Sequence, residues 1–175
     1  MENPTYYRKV IGALPYLINT RPDIFYPVNR LSQYMQYHTI LHLQCNKNIY
    51  RCLKRIIDYS LHMKASIDHN ILGFSDADWT TNLDDRKPVA GYYVFVGEIL
   101  VNWSSLKQRT ISRSSTESEY PALADLATKV AWIISLLQEI KLPIPRKPIL
   151  WCANLSAKAL ASNPIYHSRS NSLIA

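Results

Sequence analysis

The sequence predicts an α/β layered domain preceded by a helical segment. From about residue 71, three short apolar strands are followed by a long amphipathic helix, a fourth strand and a final helix. Antiparallel strands followed by a crossover helix and a further strand are typical of an α/β domain with one layer of helices on a sheet. The first 62 residues have a different pattern, in which helical spacing is interrupted by prolines.

The apolar spacing in the N-terminal segment, residues 1–62, predicts three helices. The first covers "YYRKVIGALPYLIN", where Pro15 interrupts the periodicity. The second follows Asp23, which has the position of a helix cap, and contains Pro27 within its apolar pattern. The third, "NIYRCLKRIIDYSL", is a basic amphipathic helix with one face in the core and the other in water. Its apolar face comprises Ile49, Leu53, Ile56 and Ile57, and its basic face comprises Arg51, Lys54 and Arg55.

The second segment, residues 70–175, begins with the apolar strand "ILGFSDADW". A hairpin follows, with strands at residues 92–96 and 99–103 joined by a turn at Gly97 and Glu98. After the basic segment "SSLKQRTISRS", a long helix has an apolar stripe. The linker "LPIPRKP" then leads to the buried strand "ILWCA" and the helix "NLSAKALAS". The stripe comprises Tyr120, Leu123, Ala127, Val130, Ile134 and Leu137.

Composition restricts the class of protein. With 175 residues, 47% hydrophobic and 19% charged, the chain has the composition of a globular protein. The net charge of +7 is compatible with a nucleic-acid partner, although a solvated positive face explains it equally simply. Cys45, Cys52 and Cys152 form no CxxC pair, so we expect buried free thiols and neither a disulfide framework nor a zinc site. The apolar runs are too short to span a bilayer, so we expect a soluble, intracellular protein without a membrane partner.

Acidic residues are scarce, and several fall near predicted strand and helix ends. Asp76 and Asp78 end the first strand, and Glu117 and Glu119 open the long helix. The junction after "ILWC" would form a third corner. Carboxylates that converge from two strand ends and a helix start can hold two hard cations about 4 Å apart for phosphodiester chemistry.

The same acids also have simpler explanations. Asp76 and Asp78 fit ordinary turn acids at a strand end. Thr116 and Glu119 fit a capping box, in which Glu119 would satisfy backbone amides at the helix start. On these residues alone, we favour the cap for Glu119.

Five motifs occur in order: "GFSDADW", "DDRKPVAGYY", "VNWSSLKQRT", "SSTESEY" and "LWCANLSAKALASNPIYHSR". Together they resemble the ribonuclease H region of copia-type retrotransposon Pol polyproteins, for which we expect SDADW, DDRKSTSGY, SWSSKKQ, SSTEAEY, a CDN junction and NPxxHxRTKHI. Residues 1–62 resemble the connection segment that follows reverse transcriptase. The resemblance implies a ribonuclease H-like mixed sheet at residues 70–175, with three antiparallel strands, a helix, a strand and a helix, preceded by a helical segment.

The resemblance also implies roles for individual residues. Asp76 matches the first metal-binding carboxylate and Glu119 the helix glutamate, which together with Mg²⁺ or Mn²⁺ would serve hydrolysis of the RNA strand of an RNA–DNA hybrid. Lys107, Arg109 and Arg113 are candidates for phosphate contacts, with solvated surface charge as the alternative.

Three departures from the family pattern weaken the predicted site. Ala153 stands where the family has the CDN aspartate, and the chain stops at Ala175 before the terminal acid expected of the family. Pro121, inside the long helix, would cost about 3 kcal/mol or shift the helix start. We therefore expect a truncated copy with little or no nuclease activity. The alternative is a non-catalytic nucleic-acid-binding module that retains the fold and the basic surface.

Overall fold

The computed structural model of the chain describes residues 4–61, 63–64, 68–79 and 87–163. The chain divides into two compact units, Met1–Met63 and Lys64–Ala175. Within the described residues, the first unit contains only helices, whereas the second contains a four-stranded sheet and two helices. Each unit has its own hydrophobic core.

Three α-helices form the N-terminal unit: α1 (Pro4–Ala13), α2 (Phe25–Ser32) and α3 (Ile40–Arg55). Two short 3-10 turns, Leu14–Tyr16 and Pro22–Ile24, lie between α1 and α2. Apolar side chains from all of these elements meet in one core, whose buried members are Tyr7, Ile11, Leu14, Ile24, Val28, Leu31, Leu43 and Ile49.

The prolines of this unit fall where a helix tolerates them. Pro15 lies in the 3-10 turn after α1 has ended, and Pro27 lies in the first turn of α2, where a missing N–H costs little. The prediction that Asp23 caps the second helix is wrong. Its carboxylate pairs with Arg21 at 2.6 Å, and α2 begins at Phe25 without a side-chain cap.

Helix α3 begins with a side-chain cap that we did not predict from the sequence. The Thr39 side chain accepts from the backbone N–H of His42, and the His42 ring accepts from the backbone N–H of Thr39. This is a capping box with histidine in the place usually taken by glutamate or glutamine. The helix ends at Arg55, so Ile57, expected on its apolar face, is exposed.

The second unit contains strands β1 (Ile71–Asp78), β2 (Val89–Val96), β3 (Ile99–Lys107) and β4 (Ile149–Cys152). Their order in the sheet is β3-β2-β1-β4, with β4 parallel to β1 and the other pairs antiparallel. The β2–β3 hairpin turns at Gly97, whose φ of 59° favours glycine. With α4 (Ser115–Glu139) and α5 (Leu155–Ser162), this is the predicted ribonuclease H-like mixed α/β fold.

Helix α4 packs on the sheet face that carries Gly73. A Cβ atom at Gly73 would lie 2.8 Å from Leu126 Cδ1, so glycine lets the helix approach the strand closely. Of the predicted stripe, Val130 is in the core and Leu123, Ile134 and Leu137 pack against it, whereas Ala127 is exposed and its neighbour Leu126 is fully buried. Apolar residues occupy more than one side of this helix, so periodicity alone does not fix the side that meets the sheet. The buried apolar positions are Ala122, Leu126, Val130 and Ile133.

The opposite face of the sheet carries a row of aromatic side chains. The strand registers align Trp151 of β4 with Phe74 of β1, Phe74 with Tyr93 of β2, and Tyr93 with Trp103 of β3. Phe74, Tyr93 and Trp151 are 41%, 45% and 58% exposed. Asp76 lies on the same face, two residues along β1 from Phe74.

Two expectations drawn from composition need correction. By length and mean hydropathy α4 could cross a membrane, whereas we expected every apolar run to be too short. A core helix of a soluble protein passes the same test, and α4 buries one side against the sheet. The three cysteines are free, as expected, but Cys45 and Cys52 are exposed and Cys152 is only partly buried.

Candidate active site

The start of helix α4 determines the setting of its two glutamates. Ser114 is the N-cap and its hydroxyl accepts from the backbone N–H of Glu117, while the Glu117 carboxylate accepts from the backbone N–H of Arg113 at 2.7 Å. The cap prediction for Thr116 and Glu119 is therefore wrong. Glu117 takes part in the N-terminal cap of the helix, whereas Glu119, two residues later, faces the sheet.

Pro121 does not displace this helix start. The helix begins at Ser115, six residues before Pro121, and continues without interruption to Glu139. Proline at this position removes one backbone donor, so the carbonyl of Glu117 loses its usual partner. Glu119 therefore stays in regular helix within the second turn.

Glu119 is an almost completely buried carboxylate beside β1 and β4. It is 6% exposed and accepts from the backbone N–H of Ala77. The thiol of Cys152 also lies 3.8 Å from Oε2 of Glu119. Burial, and then the nearby charge of Asp76, raise the pKa of Glu119 above its ordinary value. The charge of Asp76 therefore reaches Glu119, although Asp76 lies on the sheet face opposite α4.

Asp76 of β1 and Ala153, just after the end of β4, each follow the last register pair of these parallel strands. Ser75 of β1 is the register partner of Cys152 of β4, and the next residues along the two strands are Asp76 and Ala153. Ala153 is exposed. It lies between Cys152, which contacts Glu119, and Asn154, whose side chain donates to Ser115 Oγ at 3.3 Å. Ala153 therefore directly follows the residue whose thiol contacts Glu119.

Asp76 and Glu119 by themselves supply few oxygen ligands for a hard cation. Among the described residues, no group of three or more His, Cys, Asp or Glu side chains is arranged to hold a metal ion. Mg²⁺ is often held by one or two carboxylates together with waters and substrate phosphates, which Asp76 and Glu119 could provide. Two cations need more oxygen ligands than this pair supplies, and a thiol such as that of Cys152 is a poor ligand for Mg²⁺.

The three basic candidates take different positions. Lys107 is the last residue of β3 and not part of the following loop, whereas Arg109 is exposed just beyond it. Both line a groove of about 560 Å³ between the β2–β3 edge and α4, whose opposite wall includes Asp125 and Lys129. Arg113 lies outside this groove, at the start of α4. The groove is not lined by Asp76 or Glu119, so the basic residues and the carboxylates do not converge.

Sequence reasoning missed the residues that hold the loop between β3 and α4. The Gln108 side chain donates to the backbone carbonyl of Ser118 at 2.7 Å, and the indole N–H of Trp79 donates to the carbonyl of Ser112 at 2.8 Å. These bonds fix the chain that carries Arg109 and Arg113. Uncharged side chains that bond to backbone far along the chain leave no periodic signal, although Trp79 adjoins Asp78 in the first motif.

The mixed sheet and its helices give the second unit a ribonuclease H-like fold. The whole chain is 42% identical over 169 residues to the retrovirus-related Pol polyprotein from transposon RE1 of Arabidopsis thaliana, and 40% identical to that from transposon RE2. Each alignment covers 97% of this chain and 12% of the polyprotein. The chain belongs to the family of retrovirus-related Pol polyproteins from copia-type transposons.

A shorter relative is matched over most of its own length. The secreted RxLR effector protein 161 of Plasmopara viticola is 35% identical, with the alignment covering 73% of this chain and 90% of that protein. No family model matches the chain. No solved structure matches it either.

Proposed function

We propose that this chain is a ribonuclease H-like segment of a retrotransposon Pol polyprotein whose hydrolysis of RNA in RNA–DNA hybrids is strongly impaired. Asp76 and Glu119 retain two of the oxygen ligands that metal-dependent hydrolysis needs, and Ala153 replaces the third. Mg²⁺ or Mn²⁺, when bound, would stabilise negative charge on the reacting phosphate. Removing one ligand weakens this stabilisation because the cation is no longer held where charge develops.

The observation that carries this proposal is the position of Ala153. It directly follows Cys152, which is the register partner of Ser75 next to Asp76 and which contacts Glu119. A methyl group at this position offers no lone pair to a cation.

The second candidate function is non-catalytic binding of nucleic acid. It is supported by the groove that Lys107 and Arg109 line and by the net charge of +7. This function would keep the fold and the basic surface and would need neither carboxylate. It predicts unchanged binding of a hybrid after the Asp76→Asn substitution.

A cleavage assay separates the two candidates. The purified chain is incubated with a labelled RNA–DNA hybrid and Mg²⁺ or Mn²⁺, and the RNA products are resolved by electrophoresis. We expect slow cleavage or none, and any cleavage should disappear in Asp76→Asn. Asp78→Asn is the matched control, because it removes a carboxylate from the same strand end without touching the proposed pair.

Rapid cleavage that Asp76→Asn abolishes would contradict the impairment. Cleavage that survives in Asp76→Asn would point to a contaminating nuclease or another site. Hybrid binding in EDTA, measured by fluorescence anisotropy, tests the second candidate, because no cation is then available to the carboxylates. Absence of binding at low salt would remove that candidate.

A further inference from the structure

The sheet face opposite α4 is apolar across all four strands. Side chains alternate between the two faces along each strand, so Phe74 lies on this face whereas Gly73 and Ser75 lie on the face that α4 covers. We call the open side the aromatic face and define it by eight large apolar side chains. These are Leu72, Phe74, Tyr93, Phe95, Leu100, Trp103, Ile149 and Trp151.

The eight side chains of the aromatic face form two adjacent rows that cross the sheet from β4 to β3. Phe74 and Phe95 belong to different rows, and their rings meet edge to face with centroids 6.0 Å apart. Neighbouring strands lie about 4.8 Å apart, so each row is roughly 15 Å long. The aromatic face is therefore one continuous apolar surface and not a set of scattered exposed residues.

The accessible area of the aromatic face is in the range that a dimer interface needs. At about 200 Å² for a fully exposed aromatic side chain, the exposed fractions of Phe74, Tyr93 and Trp151 correspond to roughly 300 Å². Ile149, which is just over half exposed, and the four part-buried members bring the area to roughly 500 Å², near the upper end for an apolar patch on a monomer. Two such faces in contact would bury about 1,000 Å², the lower limit for a specific interface.

The charge of the sheet suits a second copy of the chain better than a nucleic acid. The four strands contain two acidic residues, Asp76 and Asp78 at the end of β1, and one basic residue, Lys107 at the end of β3. A surface that stacks bases needs cations beside its aromatic side chains to hold the phosphates. An aromatic centre without charge and with charged residues only at one end has instead the composition of a protein–protein interface.

The shape of the aromatic face also fits a second copy. Two sheets can pack face to face about 10 Å apart, with the side chains of the two inner faces interdigitated. Copies related by a two-fold axis present the same patch to each other, so one aromatic face meets another. The other side of the sheet cannot take this role, because α4 already packs on it around Leu126 and Val130.

We propose that two copies of this chain associate through their aromatic faces as a sheet-on-sheet dimer, with Tyr93 and Trp151 buried between them. Burial of apolar area drives the association. It requires neither Glu119 nor a divalent cation, so it goes beyond the proposed function and does not rest on it.

Sedimentation velocity of the full chain in EDTA, over a series of protein concentrations, measures the oligomeric state. We expect a reversible monomer–dimer equilibrium with a dissociation constant in the micromolar range, because the interface is small. Trp151→Gln should raise the dissociation constant at least about tenfold, since buried tryptophan contributes strongly to interfaces. Trp132→Gln is the matched control, because Trp132 on α4 is 57% exposed and Trp151 is 58% exposed. The control should keep the dissociation constant of the parent.

A second variant, Tyr93→Lys, keeps the proposal testable if Trp151→Gln unfolds, as judged by circular dichroism at 222 nm. It places an unpaired cation on each side of the interface and should give monomers. A parent that stays monomeric over the whole concentration range would overturn the proposal. So would equal weakening of the dimer by Trp151→Gln and Trp132→Gln, or assembly that continues past the dimer without saturation.

The last arm of the experiment measures binding of a fluorescein-labelled single-stranded oligothymidylate by fluorescence anisotropy. We expect Trp151→Gln to leave any such binding unchanged. Binding by a monomeric parent that Trp151→Gln abolishes would assign the aromatic face to nucleic acid and overturn the dimer. None of these measurements involves cleavage of a hybrid, so failure of the dimer is distinguishable from failure of the proposed function.

Discussion

Glu119 of α4 is buried close enough to Asp76 of β1 for the charge of Asp76 to raise the pKa of Glu119. The like charge of Asp76 makes the charged form of Glu119 less favourable unless a cation neutralises it. The same arrangement that can hold a cation is therefore a source of instability when the cation is absent. The effect of this relationship on stability can therefore be measured without an assay of activity.

Replacing Glu119 with glutamine should stabilise the folded chain at neutral pH in the absence of divalent cations. Glutamine keeps an oxygen that can accept from the N–H of Ala77 and removes the buried charge. Thermal unfolding in EDTA should show a higher Tm for Glu119→Gln than for the parent at pH 7.5.

The higher Tm of Glu119→Gln relative to the parent should disappear in acid. The folded-state pKa of Glu119 is raised above the ordinary value of 4.5, so folding is penalised as pH rises through 4.5 and fully so above the folded-state pKa. Near pH 4 the carboxyl is largely protonated in both states, and the two Tm values should converge. A lower Tm for the variant at pH 7.5 would show that Glu119 is stabilising as a charged group.

An alanine substitution at Ser114 should weaken the N-terminal cap of α4, whereas one at Thr116 should not. Ser114→Ala removes the hydroxyl that accepts from the backbone N–H of Glu117 and should cost about 1 kcal/mol of unfolding free energy. Thr116→Ala is the matched control, because no cap depends on its hydroxyl. Urea denaturation measures both. A larger loss of unfolding free energy in Thr116→Ala than in Ser114→Ala would support the capping box that we predicted from the sequence.

Two Gly→Ala substitutions should have effects of opposite sign. At Gly73, a Cβ would lie 2.8 Å from Leu126 Cδ1 and 3.0 Å from Leu150 Cδ2, so Gly73→Ala should lose about 1–3 kcal/mol through displaced side chains. At Gly12 in α1 no atom lies within 4 Å of the new methyl group. Gly12→Ala should therefore gain about 0.5–1 kcal/mol from helix propensity. Equal effects in urea denaturation would contradict the close approach of α4 to β1.

The N-terminal unit should lose stability in mild acid. Burial, and then the nearby His38, lower the pKa of His42, so the folded state favours the neutral ring that stacks on Tyr34. The unfolded chain binds the proton more readily, and the free energy of unfolding should fall as pH drops below about 6.5. His42→Gln keeps a capping-box acceptor without a titrating ring. Helix unfolding, followed at 222 nm between pH 7.5 and pH 5, should depend less on pH in this variant than in the parent.

The sequence predicted element types better than individual contacts and caps. The four strands and the long helix followed from period and turn residues, because apolar alternation is a direct consequence of burial on one face. The sequence could not show that Leu126, rather than Ala127, packs over Gly73, since both positions are apolar. Nor could it decide between Ser114 and Thr116 as the cap, because each is followed by a glutamate three residues later.

The candidate site was only partly predictable for a similar reason. Asp76 and Glu119 were identified by motif, but their proximity depends on how α4 meets β1. The contact between Cys152 and Glu119 leaves no signal in the sequence, because a lone cysteine at a strand end has many possible roles. Lys107 and Arg109 were grouped with Arg113 by sequence, whereas only the first two line the groove.

The central claim is that Ala153 leaves the carboxylate pair one ligand short. Titration of Mn²⁺ binding by electron paramagnetic resonance tests it directly, with the parent, Ala153→Asp and the double variant Asp76→Asn with Ala153→Asp. We predict weak binding by the parent, binding at least about tenfold tighter in Ala153→Asp, and loss of that gain in the double variant. Equal Mn²⁺ affinity in the parent and Ala153→Asp would contradict the account.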